Sequence, residues 1–457
     1  MNRDLTGEKP HFRPAKPSVN PYRLLLWGIL ILGSLWLLVL LQRGQVKPMF
    51  LPTPTPTRTA NSYALEGDAQ FQAGDIDGSI KAYEEAVKIE PTNARAWAEL
   101  ARVQTYSSSL LSTDQERSER MEAARNSIDQ AVAANPDDAY AHAIRSLVLD
   151  WYAASTLLSD TERQTALNEA EAASVRALQL DSDSALALAF FAEILVDQQK
   201  WQQAEQTIQK AASIDANSMD LQRVYGYVLE SLSQYRLAIE KYQEAARIAP
   251  NLTFLYIFIG RNFLTLNVHA RALEEFERAA EINERLGIQD PVPYIEIAKT
   301  YTRDGEFFAA ALNGEKALEF NPYNPNTYGQ LGSIYTKARN FESARFAFLC
   351  AVRGCSADQN EVAKEVLGEG VDVQGMPLTS GTVAFYYAQY ASVLAALSRP
   401  AQNLCPEALA VLDEVRAKYP DDPILKEIIA ENVNICGMIG RSPATTSTPA
   451  PTLTPTP

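Results

Sequence analysis

Histidine is nearly absent from the sequence, and the three present, His11, His142 and His269, are far apart. This scarcity argues against a Ser-His-Asp triad and against a His-rich metal site. No catalytic residue, cofactor or metal is assigned, and the chain does not read as an enzyme; an unusual carboxylate site is the remaining catalytic alternative. Gly368-x-Gly370 lacks the Lys-Ser/Thr of a phosphate loop, and Asp75-x-Asp77-Gly78 lacks the third acidic position and closing Glu of a calcium loop, so it reads as a turn. Cysteine is scarce too: Cys350, Cys355, Cys405 and Cys436 form no paired C-x-x-C, which disfavours zinc. Positive charge is in deficit, with 41 Lys/Arg against 56 Asp/Glu. Residues 1–58 hold eight of the basic residues and only two acidic ones, leaving 33 against 54, about −21, in the remainder. That surplus disfavours nucleic acid as a partner.

Long apolar runs are absent with one exception. Leu24 to Gln42 is an uncharged, apolar stretch of 19 residues, about 28 Å as a helix, and predicts a single membrane span. No small-x-small cleavage site follows it, which argues against a cleaved signal peptide. Arg3, Lys9, Arg13, Lys16 and Arg23 precede the span, whereas Arg43, Lys47 and Arg58 follow it. This bias predicts a plasma-membrane protein with a cytoplasmic amino terminus (1–23), a lipid-embedded helix (24–42) and an extracytoplasmic remainder. Residues 43–59 alternate Pro and Thr and predict a stiff polyproline II stalk; 438–457 repeat that composition and predict a disordered tail.

Between these segments, alanine recurs at one phase. Ala170, Ala204, Ala238, Ala272, Ala310 and Ala344 lie 34, 34, 34, 38 and 34 residues apart, and each is followed seven places later by another alanine. Small residues at fixed phase suit helices that cross closely, so the chain reads as a stack of helical hairpins. Tyr63, Gly67, Tyr83, Ala86 and Pro91 supply a bulky-small-aromatic-Ala-Pro pattern, repeated by Gly226, Ala238, Tyr242, Ala245 and Pro250, and by Tyr328, Gly332, Ala344, Phe348 and Ala351. On these residues the chain resembles the tetratricopeptide repeat (TPR) family from Ala60 to about Gly437. The resemblance implies an all-α solenoid, with about eight repeats in 60–354, an irregular insertion in 355–381 and a degenerate repeat with a capping helix in 382–437.

Two repeats, beginning at Ala94 and Ala139, each hold 11 or 12 extra residues between their helices. Ser112 with Gln115 and Ser159 with Glu162 predict capping boxes that open the second helices. The tall hairpins form a partner-binding lip or simply pack on each other. Segment 356–381 predicts a loop or small β-hairpin. Cys405 opens one helix and Cys436 ends the next, antiparallel one, so a disulfide is natural there; Cys350 and Cys355 are close enough to clip a turn. Four free or buried thiols are the alternative.

The resemblance implies a protein or peptide partner in the concave face. By register, that face presents Glu193 and Asp197, then Arg223, Tyr227 and Glu230, then Phe254, Ile257 and Arg261, then Lys299 and Arg303, and finally Lys337. Arg261, Lys299, Arg303 and Lys337, beside Tyr227 and Phe254, form a basic strip suited to an acidic segment or terminal carboxylate; ordinary solvated positions are the alternative. The expected function is a membrane-tethered scaffold or assembly factor. An accessory subunit of an envelope secretion or polysaccharide export machine is the runner-up.

Overall fold

The computed structural model describes residues 20–42, 58–111, 113–155 and 157–439. The start of the basic tail, nearly all of the Thr/Pro stalk and the carboxy-terminal tail from 440 lie outside the described residues. The chain divides into two units, Met1–Arg58 and Thr59–Pro457. In the first, helix α1 (Pro21–Gln42) presents an apolar window, Pro21–Leu40, of which nothing is buried. At 1.5 Å per residue it is about 33 Å long, enough to cross a hydrocarbon core.

The second unit is all-α. Its helices come in hairpins: α2 (Ala60–Ala73) with α3 (Ile76–Ile89), α4 (Ala94–Ser108) with α5 (Asp114–Ala134), α6 (Ala139–Ala153) with α7 (Asp160–Leu180), and α8 (Ala185–Asp197) with α9 (Trp201–Ile214). Then follow α10 (Met219–Ser231) with α11 (Tyr235–Ile248), α12 (Thr253–Thr265) with α13 (His269–Leu286), α14 (Val292–Asp304) with α15 (Phe307–Phe320), and α16 (Pro325–Lys337) with α17 (Phe341–Val352). A short helix, α18 (Glu361–Leu367), precedes a ninth hairpin of α19 (Gly381–Leu397) and α20 (Cys405–Lys418), and α21 (Pro423–Ile439) closes the stack.

Small residues set the crossings, as the alanine phase requires. Ala170, Ala204, Ala238, Ala272, Ala310 and Ala344 are all fully buried. At the other side of the crossing a ring lies on a glycine: a methyl group added at Gly226 would come within 2.8 Å of Tyr242, and one at Gly260 within 2.3 Å of Phe276. Only a bare backbone lets these rings settle between the two helices of their hairpin.

The turn within six of the nine hairpins also has a fixed chemistry. The backbone is left-handed at Gly74, Gln199, Ser233, Asn267, Gly305 and Arg339, with φ between 58° and 89°. The next N–H then reaches back to the carbonyl five residues earlier, as in Lys200 to Leu195 at 2.7 Å and Asn340 to Tyr335 at 2.8 Å. This is the Schellman closure, and it costs a side-chain-bearing residue about 1 kcal/mol. A methyl group at Gly305 meets nothing within 4 Å, so Gly305→Ala is expected to lose about 1 kcal/mol for conformational reasons alone. Arg339→Gly is expected to gain a few tenths, glycine's unfolded-state entropy offsetting the rest. Paired urea titrations followed by circular dichroism test both signs; a stabilised Gly305→Ala protein would contradict the argument.

Three local expectations need correction. The extra residues of the long hairpins extend the second helices, α5 and α7, to 21 residues each. The first capping box is Thr113 with Glu116, one place beyond the expected Ser112 and Gln115, while the second is Ser159 with Glu162. A carboxylate accepts both the capping hydroxyl and the N–H, which favours Glu116 over Gln115. Segment 356–381 forms α18 and one isolated antiparallel bridge, Cys355 to Val373, instead of a hairpin. Asn360 caps α18 through the Ala363 N–H at 3.0 Å and left-handed Gly368 ends it, so a helix with both caps outweighs the β pattern of Val371 and Val373.

Disulfides join Cys350 to Cys355 and Cys405 to Cys436, with Cα–Cα separations of 4.7 and 5.5 Å. The apolar core runs in two main stretches, one from Phe71 to Ala317 and one from Leu318 to Cys436.

Candidate functional site

The early hairpins turn far enough to meet the later ones. Tyr106, fully buried near the end of α4, stacks on Phe254 of α12 with ring centres 5.3 Å apart and planes inclined by 19°. Its other neighbours are Phe71 of α2 at 6.2 Å and Trp151 of α6, edge-on, at 5.6 Å. The Tyr106 hydroxyl donates to Asp220 at the start of α10, and Arg102 reaches the same carboxylate at 3.3 Å. Arg102 also pairs with Glu99 at 2.9 Å, which accepts the Tyr140 hydroxyl at 2.7 Å. A methyl group at Gly74 would collide with the Asn251 carbonyl ahead of α12. These contacts close the inner helices α4, α6, α8, α10 and α12 around a central space, where an open concave groove was expected.

That space is a cavity of about 490 Å³, within the range of small-molecule sites. Its floor is a buried ion pair: Arg223 donates to both oxygens of Glu193 at 2.8 and 2.6 Å, and Trp151 Nε1 donates to Glu193 at 3.0 Å. Arg223 is 2% exposed and Glu193 4%. Burial opposes the arginine's charge, but Glu193, Tyr106 and Asp220 together outweigh it and hold the guanidinium's pKa well above its ordinary value. Beside the pair stand two further carboxyls, Asp150 and Asp197. Burial, then the charges of Asp197 and Glu193, push Asp150 well above the usual carboxylate range. Burial likewise pushes Asp197 up to about 6, against the Tyr227 hydroxyl that donates to it at 2.5 Å. Glu230 accepts from the Tyr242 hydroxyl and from Asn262, both at 2.9 Å. The tall hairpins supply the roof through Asp114, Arg117 and Met121 of α5 and Ser155 beyond α6.

The carboxyl pair has a thermodynamic consequence. Asp197 holds its proton more tightly folded than unfolded, so its contribution is complete below about pH 4 and is lost as pH rises through about 6. Glu99 and Glu296 act in the opposite sense: burial opposes their charge, yet their cationic neighbours hold both below the ordinary value, and their contribution fades in stronger acid. Burial also pushes Asp290 up to about 6, so thermal stability is expected to be higher at pH 5.5 than at pH 7.5, by about 1 kcal/mol from each of Asp197 and Asp290. Melting curves across that interval test this, and Asp197→Asn is expected to remove about half of the difference, with Asp290 supplying the rest; a fall in stability toward pH 5.5 would contradict it.

The concave-face residues fall in different places. Tyr227, Arg261, Glu193, Asp197, Arg223 and Glu230 line the cavity. Phe254 is 2% exposed and packed on Tyr106, so it offers no open face to a partner. Arg261 and Lys299 converge on one buried carboxylate, Glu296, at 3.0 and 3.1 Å, while Arg303 and Lys337 are exposed on α14 and α16. Of the four basic residues of the strip, two thus share one buried carboxylate and two stand exposed on neighbouring inner helices. The repeat register does not single out Asp150, Trp151, Tyr106 or Asp220, although Asp150 interrupts the apolar run from Leu147 to Tyr152 and a charge there is a signal.

Two family models match within this architecture, "TPR repeat" over residues 67–104 and "Tetratricopeptide repeat" over residues 191–252. The chain carries tetratricopeptide repeats in these two segments. Among similar solved structures, the human IFIT1 dimer with PPP-AAAA is 14% identical, spans 85% of this chain and 92% of its own, and has a TM-score of 0.50. TTC0263, a thermophilic TPR protein of Thermus thermophilus, is 16% identical over 45% of this chain and all of its own, with a TM-score of 0.37. PilF of Pseudomonas aeruginosa is 18% identical over 46% and 90%, with a TM-score of 0.35. At these identities the likeness concerns the TPR fold alone. No curated protein matches the sequence. Among the described residues, no group of His, Cys, Asp and Glu is arranged to hold a metal ion.

Proposed function

We propose that the protein is a single-pass, plasma-membrane-tethered scaffold or assembly factor that binds a protein or peptide partner through its TPR domain on the extracytoplasmic side. The supporting observation is the joining, in one chain, of an apolar helix exposed along its whole span to a stack of TPR hairpins, a fold whose usual work is protein binding. Helix α1 would enter the bilayer, and the charge bias around it favours a cytoplasmic amino terminus. An acidic segment of the partner would lie along α14 and α16, where Arg303 and Lys337 are exposed, with Lys299 and Arg261 at its border.

Proximity labelling from the carboxy terminus of the full chain tests this reading. The expected result is a defined set of extracytoplasmic neighbours, depleted when Arg303→Glu and Lys337→Glu are combined, while an amino-terminal tag marks cytoplasmic proteins only. A set indistinguishable from that of residues 1–59 alone would overturn the scaffold role. Cytoplasmic neighbours at the carboxy terminus would overturn the topology.

A further inference from the structure

The central cavity holds more carboxylates than cations to match them. Asp114 pairs with Arg117 and Glu193 with Arg223, while Arg261 is drawn outward to Glu296. Asp150, Asp197 and Glu230 are left without a dedicated cation: Asp197 and Asp150 share a hydrogen bond, Tyr227 donates to Asp197, and Tyr242 and Asn262 donate to Glu230. Asp150 is the decisive group. It is 1% exposed, its carboxyl lines the cavity, and its Oδ1 is buried with no hydrogen-bond partner. A buried acceptor left empty costs about 1–3 kcal/mol, which a donor entering the cavity would recover. The rest of the wall is apolar and aromatic, chiefly Trp151, Tyr227, Phe258 and Met121.

This combination selects its guest. An anion would face Asp150 and Asp197 across a low-dielectric space. A hard metal ion needs six or more convergent oxygens, and no such group stands among the described residues. A guanidinium needs a planar, bidentate partner, and Glu193 already gives both oxygens to Arg223. A primary ammonium is a compact charge with three donors, and an aliphatic stem behind it suits aromatic walls.

We propose that the cavity binds a primary ammonium group on a short aliphatic stem, with Asp150 and Asp197 receiving the charge and the stem lying against Trp151 and Tyr227. The source is a lysine side chain on a peptide or a free aliphatic diamine. The site is independent of the scaffold reading, since it uses neither the membrane helix nor the exposed basic residues. It also accounts for the length of the tall hairpins, because residues of α5 roof the space that shorter hairpins would leave open.

Binding is coupled to protons. Asp150 faces Asp197, Glu193 and Arg223; Asp197 faces Asp150, Glu193, Arg223 and Tyr227, and on its outer side borders a surface pocket holding the Lys200–Glu171 pair. An arriving ammonium displaces a proton from the carboxyl pair, so acid competes with the ligand.

Calorimetry on the full chain in a neutral detergent tests the proposal, using 1,5-diaminopentane, N-acetyl-lysine methylamide and, as the uncharged isostere, N-acetyl-norleucine methylamide. At least one amine is expected to bind about tenfold or more tighter than the isostere. Its affinity is expected to fall between pH 7.5 and 5.5, with proton release visible as a dependence on buffer ionisation heat. Asp197→Asn, expected to fold at least as stably as the native chain, should weaken binding by about tenfold. Preference for the capped lysine assigns the site to peptides; preference for the diamine assigns it to free amines. Equal binding of the isostere, no amine binding up to about 10 mM, or full affinity in Asp197→Asn with unchanged circular dichroism would each overturn it.

Discussion

Glu193→Gln is expected to destabilise the first six hairpins by about 3–5 kcal/mol, because it strands a buried charge. Arg223 is 2% exposed, its two terminal nitrogens both rest on Glu193, and its Nε already lacks an acceptor. The rings of Tyr106 and Trp151, each 5.4 Å from the guanidinium, offer only partial compensation. The neighbouring carboxyls give the variant a second signature. With Glu193 neutral, Asp150 and Asp197 lose a repelling charge and are drawn to ionise beside Arg223, so the stabilisation expected on acidification should shrink. Removing both charges together, as in Glu193→Leu with Arg223→Met, is expected to restore most of the loss, since apolar replacements of a buried pair are commonly tolerated. Unfolding in a solenoid is not all-or-none. The suitable measurement is therefore amide exchange, with accelerated opening of α8 and α10 and little change in α19–α21. A loss below about 1 kcal/mol would mean that water reaches Arg223 and that the cavity floor is not dry.

The same residues mark what could be read from the sequence. The hairpin stack was legible because each crossing involves only neighbouring repeats, so Ala204, Ala238 and Ala272 carry their own phase. The inward register was legible for the same reason, and it places Glu193, Asp197, Arg223 and Tyr227 on one face. Ring closure was not, because Tyr106 and Phe254 are 148 residues apart and no periodicity links them. The charge balance of the face failed for a different reason. Counting Arg261 and Lys299 as a basic strip omits Glu296, three residues before Lys299, which pairs with both and offsets one of their two charges. Side chains at that spacing are neighbours on a helix, so the sequence contained the correction.

Loss of the Cys405–Cys436 disulfide is expected to destabilise the carboxy-terminal end by about 4 kcal/mol, the loop-closure entropy of a link spanning some 31 residues. Loss of Cys350–Cys355, which closes only five, is expected to cost about half as much. Alanine is the better replacement, because all four sulfur sites are buried and a hydroxyl would lack a partner. The effect should stay local. Both links fall in the second stretch of core, Leu318 to Cys436, while the cavity belongs to the first. Cys405→Ala with Cys436→Ala should therefore speed exchange in α19, α20 and α21 and leave α4–α12 protected; equal loss throughout would show that the two stretches unfold as one. The disulfides also bear on topology, since such links persist where the surroundings oxidise thiols. Alkylation in intact cells followed by reduction should find all four cysteines blocked from the first reagent. Free thiols at Cys405 and Cys436 in the native protein would place the repeats in a reducing compartment, and the proposed orientation of α1 would then have to be reversed.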